Sequence, residues 1–292
     1  MLENPFPKIE SRVTRQPPEL LYHYTSGDGL RGIITNRVLW ATSIHHLNDT
    51  QELLHALSLA SQAVQAYRPE SLTTLQVDLG MRMLEDIEKL KSLKLFIASF
   101  SEEGDLLSQW RAYCPREGGY SLGFSAPIVL SPAKPHGFSL YPCIYDREEQ
   151  KDLIQFIVGS YLGLLQGVWL SASRTTRGLV ESAAFYFVGA LVRVAPLIKH
   201  PTFFEEREWR LVGTIPPVGD SVKFRRVGDS VFPYREIRLA GEGSDFGAVI
   251  GKIVVGPAKR RKASVEVIRQ VLRAEGMFEC EVVASASPFR AN

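Results

Sequence analysis

Cysteine is scarce in this sequence, with three residues among 292: Cys114, Cys143 and Cys280. Their number is odd, they lie far apart, and no two of them have the short spacing of a zinc site. A disulfide scaffold and a zinc-finger fold are therefore excluded. We expect a protein that folds in a reducing compartment.

The sequence also lacks a strong charge of either sign. Lys and Arg number 34 against 32 Asp and Glu, which gives a formal net charge of +2. This balance does not indicate a nucleic-acid-binding surface, because phosphate binders usually concentrate basic charge. The first residues, MLENPFPKIESR, contain no apolar run of the secretory type. We therefore predict a cytoplasmic location.

The common signatures of nucleotide-binding and hydrolytic sites are missing as well. The sequence contains no P-loop, no Gly-x-Gly-x-x-Gly after a strand, no Gly-x-Ser-x-Gly and no His-Glu-x-x-His.

One long apolar run is present. Residues 153–173 carry no charge, which is long enough for a membrane span. The next apolar stretch, 179–198, contains Glu181 and Arg193. We predict a buried helical pair over residues 151–198, with a membrane hairpin as the alternative. An insertion, a lid and a dimer interface in a homo-oligomer are equally open roles for this pair.

Strands and helices alternate without a strict βαβ rhythm, which favours an α+β fold with a central mixed or antiparallel sheet. Residues 1–19, rich in proline, are predicted to be an extended arm, and residues 20–292 a single domain. The domain opens with a strand at Leu20–Tyr24, a helix that Thr25, Ser26 or Asp28 can cap, and a strand at Val38–Thr42.

The first candidate site lies at Tyr22-His23-Tyr24-Thr25. Strand alternation places Tyr22 and Tyr24 on one face and His23 on the other. His23 could bind a ligand, or it could simply bond a backbone carbonyl at the strand end.

A second set combines hydroxyl and aromatic side chains. Ser99 and Ser101 share a strand face, and Trp110 and Tyr113 have the i, i+3 spacing of one helix face. Such a wall suits a planar ligand such as a nucleobase, and ordinary core packing is the alternative.

A third set lies at Glu206-Arg207-Glu208-Trp209-Arg210. If this segment is a strand, Glu206, Glu208 and Arg210 line one face. Two such carboxylates can divide their work: one stays ionised and stabilises positive charge, while the other accepts a proton. A ladder of salt bridges on a half-exposed strand is the alternative.

The acidic pattern Asn48-Asp49-x-x-Glu52 follows two histidines. Its spacing is typical of a helix cap, which we favour. A metal site that uses Asp49, Glu52 and a histidine is the alternative.

In their order along the chain, these motifs resemble a bacterial family known as domain of unknown function 2971. The resemblance extends from Leu20 to Pro257 and rests on Leu21-Tyr22-His23-Tyr24-Thr25, Leu39-Trp40, Asn48-Asp49-x-x-Glu52, Phe100-Ser101, Trp110-x-x-Tyr113 and Glu206-x-Glu208-Trp209-Arg210. That family in turn is similar to the ADP-ribosyltransferases, with an apolar helical pair packed on the transferase-like core.

The resemblance implies a role for each residue. NAD is the substrate and no metal is needed. His23 contacts a ribose, Tyr24 or Tyr113 stacks on nicotinamide, and Glu208 stabilises the oxocarbenium-like transition state. Glu206 activates an unknown acceptor, which is a protein, a nucleic acid or a small molecule. Arg210 pairs with Glu206 or binds the pyrophosphate.

Three functions therefore compete. The first is an NAD-dependent ADP-ribosyltransferase or NAD glycohydrolase, acting as a bacterial toxin or antiphage defence effector. The second is a metal-dependent nuclease or phosphohydrolase with a divalent ion held by Asp49, Glu52, Glu206 and Glu208. The third is a nucleotide-binding or interaction module without catalysis.

Overall fold

The structure of this chain is a computed structural model, which describes residues 4–46, 50–68, 72–115, 118–127, 137–166, 174–214, 222–239 and 246–287. The chain divides into two compact units, although one domain was predicted for residues 20–292. Unit 1 comprises Met1–Thr14, Ile44–Leu95 and Pro142–Phe203, and unit 2 comprises Arg15–Ser43, Phe96–Tyr141 and Phe204–Asn292.

The first helix of unit 1 corrects the prediction of an extended arm. Helix α1 (Phe6–Val13) buries Ile9 and Val13. The Arg12 guanidinium lies 3.7 Å from the centroid of the Phe156 ring. Proline is tolerated in a first helical turn, where its missing N–H has no partner in any case, so the prolines of this segment do not prevent a helix.

Unit 1 is helical because several amphipathic helices bury their apolar faces against one another. Besides α1, its described long helices are α3 (Thr50–Ala66), α4 (Thr74–Leu90), α6 (Arg147–Gly163) and α7 (Arg174–Val194). At the start of α4, the Thr73 hydroxyl and the Gln76 side chain form a reciprocal capping box.

Helices α6 and α7 are the predicted apolar pair. They contact each other and pack with α3 and α4, and the Tyr161 and Phe187 rings meet edge to face at 5.9 Å. The segment Thr176–Leu197 is apolar and long enough to cross a membrane, yet 44% of its apolar stretch is buried inside the structure. The core helix of a soluble protein can have the same length and composition, so this segment is weak evidence for a membrane span.

Unit 2 is built on a ten-stranded sheet in which β9 and β10 are parallel and the other pairs with a defined register are antiparallel. The α+β class with a central mixed sheet is thereby confirmed. The strands are β1 (Leu20–Thr25), β2 (Val38–Ser43), β3 (Leu95–Ser101), β4 (Tyr120–Ser125), β5 (Phe138–Pro142), β6 (Glu208–Thr214), β7 (Lys223–Val227), β8 (Ser230–Arg238), β9 (Ile250–Val255) and β10 (Glu281–Ala284).

The described residues of unit 2 include the helices α2 (Gly27–Asn36), α5 (Leu107–Tyr113) and α8 (Arg261–Ala274). Helix α2 starts where the Ser26 hydroxyl accepts a hydrogen bond from the Gly29 N–H. It ends at Asn36, and Arg37 then adopts a left-handed conformation with φ of 55°. The predicted strand–helix–strand opening of this region is confirmed.

Strand β3 pairs with three other strands. It meets β1 at Ser101, meets β2 at Phe96 and Ile97, and also pairs with β6. Ser99 falls between the positions paired with β1 and β2. All seven residues of β3 are described, and Ser99 alone among them is not buried.

Candidate functional site

The His23 side chain contacts β3 at Ser99, between the positions at which β3 pairs with β1 and with β2. Its Nδ1 lies 2.9 Å from the backbone oxygen of Ser99. Because a carbonyl oxygen only accepts, Nδ1 carries the proton, and Nε2 of the neutral ring is an acceptor. Burial lowers the pKa of His23, an effect that the Ser99 carbonyl opposes and the nearby Arg225 cation reinforces.

Tyr24 lies in a different environment, which the predicted stacking role did not anticipate. Its hydroxyl donates to the Glu103 backbone oxygen at 2.7 Å and accepts from the Leu106 N–H at 2.9 Å. Its ring meets the Trp110 ring edge to face at 4.7 Å. Tyr24 is buried, and burial raises the pKa of its hydroxyl.

Trp110 and Tyr113 differ in exposure although both lie on α5. Trp110 is 3% exposed, and its indole N–H donates to Asp105 Oδ1 at 2.7 Å. Tyr113 is 45% exposed at the end of the helix. Trp110 therefore packs in the core, and Tyr113 alone of the two presents an accessible ring.

The two serines of β3 also separate. The buried Ser101 hydroxyl donates to the Glu206 backbone oxygen at 2.7 Å and accepts from the Glu103 N–H at 3.0 Å. Ser99 is only partly buried. Ser101 therefore fixes the turn before β6, while Ser99 stands beside His23.

Glu206 does not lie on the strand face that the sequence predicted. It ends a 3-10 helix (Pro201–Glu206), and β6 begins at Glu208. Arg207 between them has φ of 41°, the left-handed region that non-glycine residues rarely adopt. Strand alternation therefore applies to Glu208 and Arg210 and does not extend to Glu206.

Glu208 and Arg210 form a bidentate ion pair. Arg210 Nε lies 2.9 Å from Glu208 Oε1, and Arg210 Nη2 lies 3.0 Å from Glu208 Oε2. Their side chains are 6% and 1% exposed. The two positions do share a strand face, and the arginine of this face pairs with Glu208, which the resemblance assigns to catalysis.

A hairpin that the sequence analysis missed carries further candidate residues. On β7, Arg225 Nη2 donates to Thr42 Oγ1 at 2.9 Å, and the guanidinium carbon lies 5.3 Å from the Trp40 ring centroid. The hairpin turns at Gly228, whose φ of 59° suits the first position of a two-residue loop. The alternating residues on both sides of Gly228-Asp229 were the available sequence signal.

The acidic pattern near residue 50 is only partly described. Asn48 and Asp49 lie outside the described residues, and their predicted role as a helix cap or metal ligands stays a prediction. Glu52 Oε1 accepts from the His200 N–H at 3.2 Å. Within the described ranges, no group of three or more His, Cys, Asp or Glu side chains is placed to hold a metal ion.

Comparison with known proteins supports part of the resemblance. Residues 109–211 match the family model described as "Protein of unknown function (DUF2971)". The match supports the resemblance to that family. It covers about a third of the chain, including Trp110, Tyr113, Glu206, Glu208 and Arg210. No curated protein and no solved structure matches the chain.

Proposed function

We propose that unit 2 binds NAD and cleaves its bond to nicotinamide, passing the ADP-ribosyl group to an acceptor or to water. The observation that carries the proposal is the contact of His23 Nδ1 with the Ser99 oxygen at 2.9 Å. This contact fixes the tautomer whose Nε2 can accept a hydrogen bond from a ribose hydroxyl. The resemblance of the sequence motifs to those of ADP-ribosyltransferases implies the same role for this histidine.

The chemistry asks little of the protein beyond orientation and charge. The bond from ribose C1′ to the nicotinamide nitrogen breaks, and its electron pair leaves with nicotinamide. An acceptor or water oxygen then bonds C1′ and releases a proton. A fixed carboxylate stabilises the positive charge that develops on the ribose, and in this proposal that group is Glu208.

The ion pair with Arg210 bears on this role in two ways. Two charge-assisted hydrogen bonds favour the ionised carboxylate and hold it in one orientation, as transition-state stabilisation requires. The cation also weakens the carboxylate's field. That observation favours a second candidate function, which is NAD binding without cleavage.

The test measures free nicotinamide after NAD is incubated with the purified protein and cell lysate, with and without a chelator. His23 offers a matched pair of variants. His23→Asn can still donate to the Ser99 oxygen but has no atom at the Nε2 position, and His23→Gln places an amide there. We expect chelator-resistant release that falls at least tenfold in His23→Asn and less in His23→Gln.

Two outcomes would count against cleavage. No release from NAD, together with measurable NAD binding by calorimetry, would replace the proposal by the binding function. Release that the chelator abolishes would instead favour metal-dependent chemistry. Thermal unfolding of each variant serves as the control, because a variant that has lost its fold says nothing about the site.

A further inference from the structure

One face of the three strands β2, β8 and β7 carries a cluster of aromatic, hydroxyl and basic side chains. In the sheet register, Thr42 faces Tyr234, and Tyr234 faces Lys223. Two residues along each strand, Trp40 and Arg225 lie on the same face, because side chains alternate with period two. The cluster is therefore set by the strand pairing.

Arg225 is the unusual member of this cluster. It is half-buried and bonds the Thr42 hydroxyl, but its Nε is buried and has no hydrogen-bond partner among the described residues. Burial lowers the pKa of Arg225, and the electrostatic effect of Tyr234 partly opposes this shift. In the described part of the chain, no carboxylate forms an ion pair with it.

Neighbouring cations on the same strand are satisfied differently. Lys223 Nζ lies 2.7 Å from Glu236 Oε2, and Arg226 Nη2 lies 3.2 Å from Asp229 Oδ1. A buried N–H that lacks an acceptor is costly, and such groups in folded proteins call for an explanation, of which ligand binding is one. The planar fork of a guanidinium matches phosphate oxygens, so an anionic ligand would provide that acceptor.

An accessible aromatic ring lies beside this cation. Trp40 is 37% exposed, and its ring centroid lies 4.6 Å from that of Tyr234 and 5.3 Å from the Arg225 guanidinium carbon. Exposed indole rings bind nucleobases by stacking, largely independently of the base. Thr42 pairs with Ile97 on β3, two residues before Ser99, whose backbone oxygen contacts His23, so this cluster lies near the proposed ribose contact.

We propose that Arg225 binds the pyrophosphate of a nucleotide whose base stacks on Trp40, with Thr42 holding the guanidinium in position. The assignment to NAD rests on the proposed function, whereas the binding of a nucleotide phosphate does not. The site takes both a nucleotide sugar such as ADP-ribose and a nucleoside diphosphate such as ADP, since both present the same diphosphate chemistry.

Calorimetric titration of ADP-ribose, ADP, inorganic pyrophosphate and adenosine tests this site. We expect Arg225→Met to weaken the three phosphate ligands at least tenfold and to leave adenosine unchanged. Trp40→Ala should weaken ADP-ribose, ADP and adenosine but not pyrophosphate. Arg226→Met, on the same strand but on the opposite face, is the matched control and should change each affinity less than threefold.

The outcomes separate this inference from the proposed function. Phosphate ligands that bind Arg225→Met as tightly as the wild type, or that fail to bind the wild type, would overturn the site. Arg225-dependent ADP binding without nicotinamide release from NAD would retain the site and overturn cleavage. Nicotinamide release with the same KM for NAD in Arg225→Met as in the wild type would retain cleavage and overturn the site. Arg225→Met should fold, because it removes a half-buried cation that lacks an ion-pair partner within the described chain.

Discussion

Glu208 and Arg210 lie two residues apart on β6 and are joined by two hydrogen bonds of 2.9 and 3.0 Å. Both side chains are buried. A substitution of either residue is expected to lower the stability of the fold, because breaking a buried ion pair is strongly unfavourable. This relationship complicates any mutational test of Glu208 as a catalytic group.

Glu208→Gln and Arg210→Met should each lower the free energy of unfolding by about 3–5 kcal/mol, since each breaks a buried, bidentate ion pair by removing one of its two charges. The double variant should cost less than the sum of the two by about 1–3 kcal/mol, because it removes both charges. Urea unfolding of the four proteins measures this coupling. Additive costs would show that the two charges do not stabilise each other.

Ser99 and Ser101 provide a second comparison on one strand. Ser101→Ala should cost about 1–3 kcal/mol, since the Glu103 N–H and the Glu206 carbonyl both lose their partner. Ser99→Ala should stay within about 0.5 kcal/mol of the wild type, because Ser99 is only partly buried and the His23 contact uses its backbone oxygen. Chemical denaturation distinguishes them, and equal costs would contradict the different roles of the two serines.

The turn at Arg207 can be tested by backbone conformation. With φ of 41°, a β-branched residue is strained and glycine is not. Arg207→Val should therefore destabilise the protein by about 1–2 kcal/mol more than Arg207→Gly. The ion pair of Arg207 with Glu103 is surface-exposed and is lost in both variants, so it cancels in the comparison. If both variants melt at the same temperature, the turn is not under this constraint.

The parts of unit 2 that the sequence predicted are those governed by local rules. The β1–α2–β2 opening follows from strand alternation and from the Ser26 cap, which act over a few residues. The position of Glu206 could not be predicted, because no glycine or asparagine marks the left-handed turn at Arg207. Ser101 and Tyr24 were placed on the correct strands, but their hydrogen bonds reach residues about 80 to 105 positions away.

The Arg225 cluster was out of reach for a related reason. Trp40 was recognised as part of a motif, but its neighbours come from β7 and β8. Arg225, for example, lies more than 180 residues after Thr42, to which it donates a hydrogen bond. The pairing of those strands with β2 decides which side chains meet. Strand order in a sheet with non-sequential neighbours does not follow from the alternation pattern of any single strand.

The tautomer of His23 leads to a pH prediction. Its pKa in the folded protein lies below the ordinary value of 6.5, because burial disfavours the charged ring. The unfolded chain therefore binds the proton first as the pH falls, and the contribution of His23 to stability is fully present above about pH 6.5. That contribution declines as the pH falls from that value through the lower folded pKa.

His23→Asn does not titrate, so the difference in unfolding free energy between the wild type and this variant isolates the effect. We expect the difference to be constant from pH 7 to 8 and to shift against the wild type as the pH falls below about 6.5. NAD binding should weaken only at lower pH, as the pH approaches the folded pKa of His23, because protonation of Nε2 in the folded protein removes the acceptor proposed for the ribose hydroxyl. A difference that does not change with pH would show that His23 titrates equally in the folded and unfolded chains, and the buried neutral ring would then not be the state that meets the ligand.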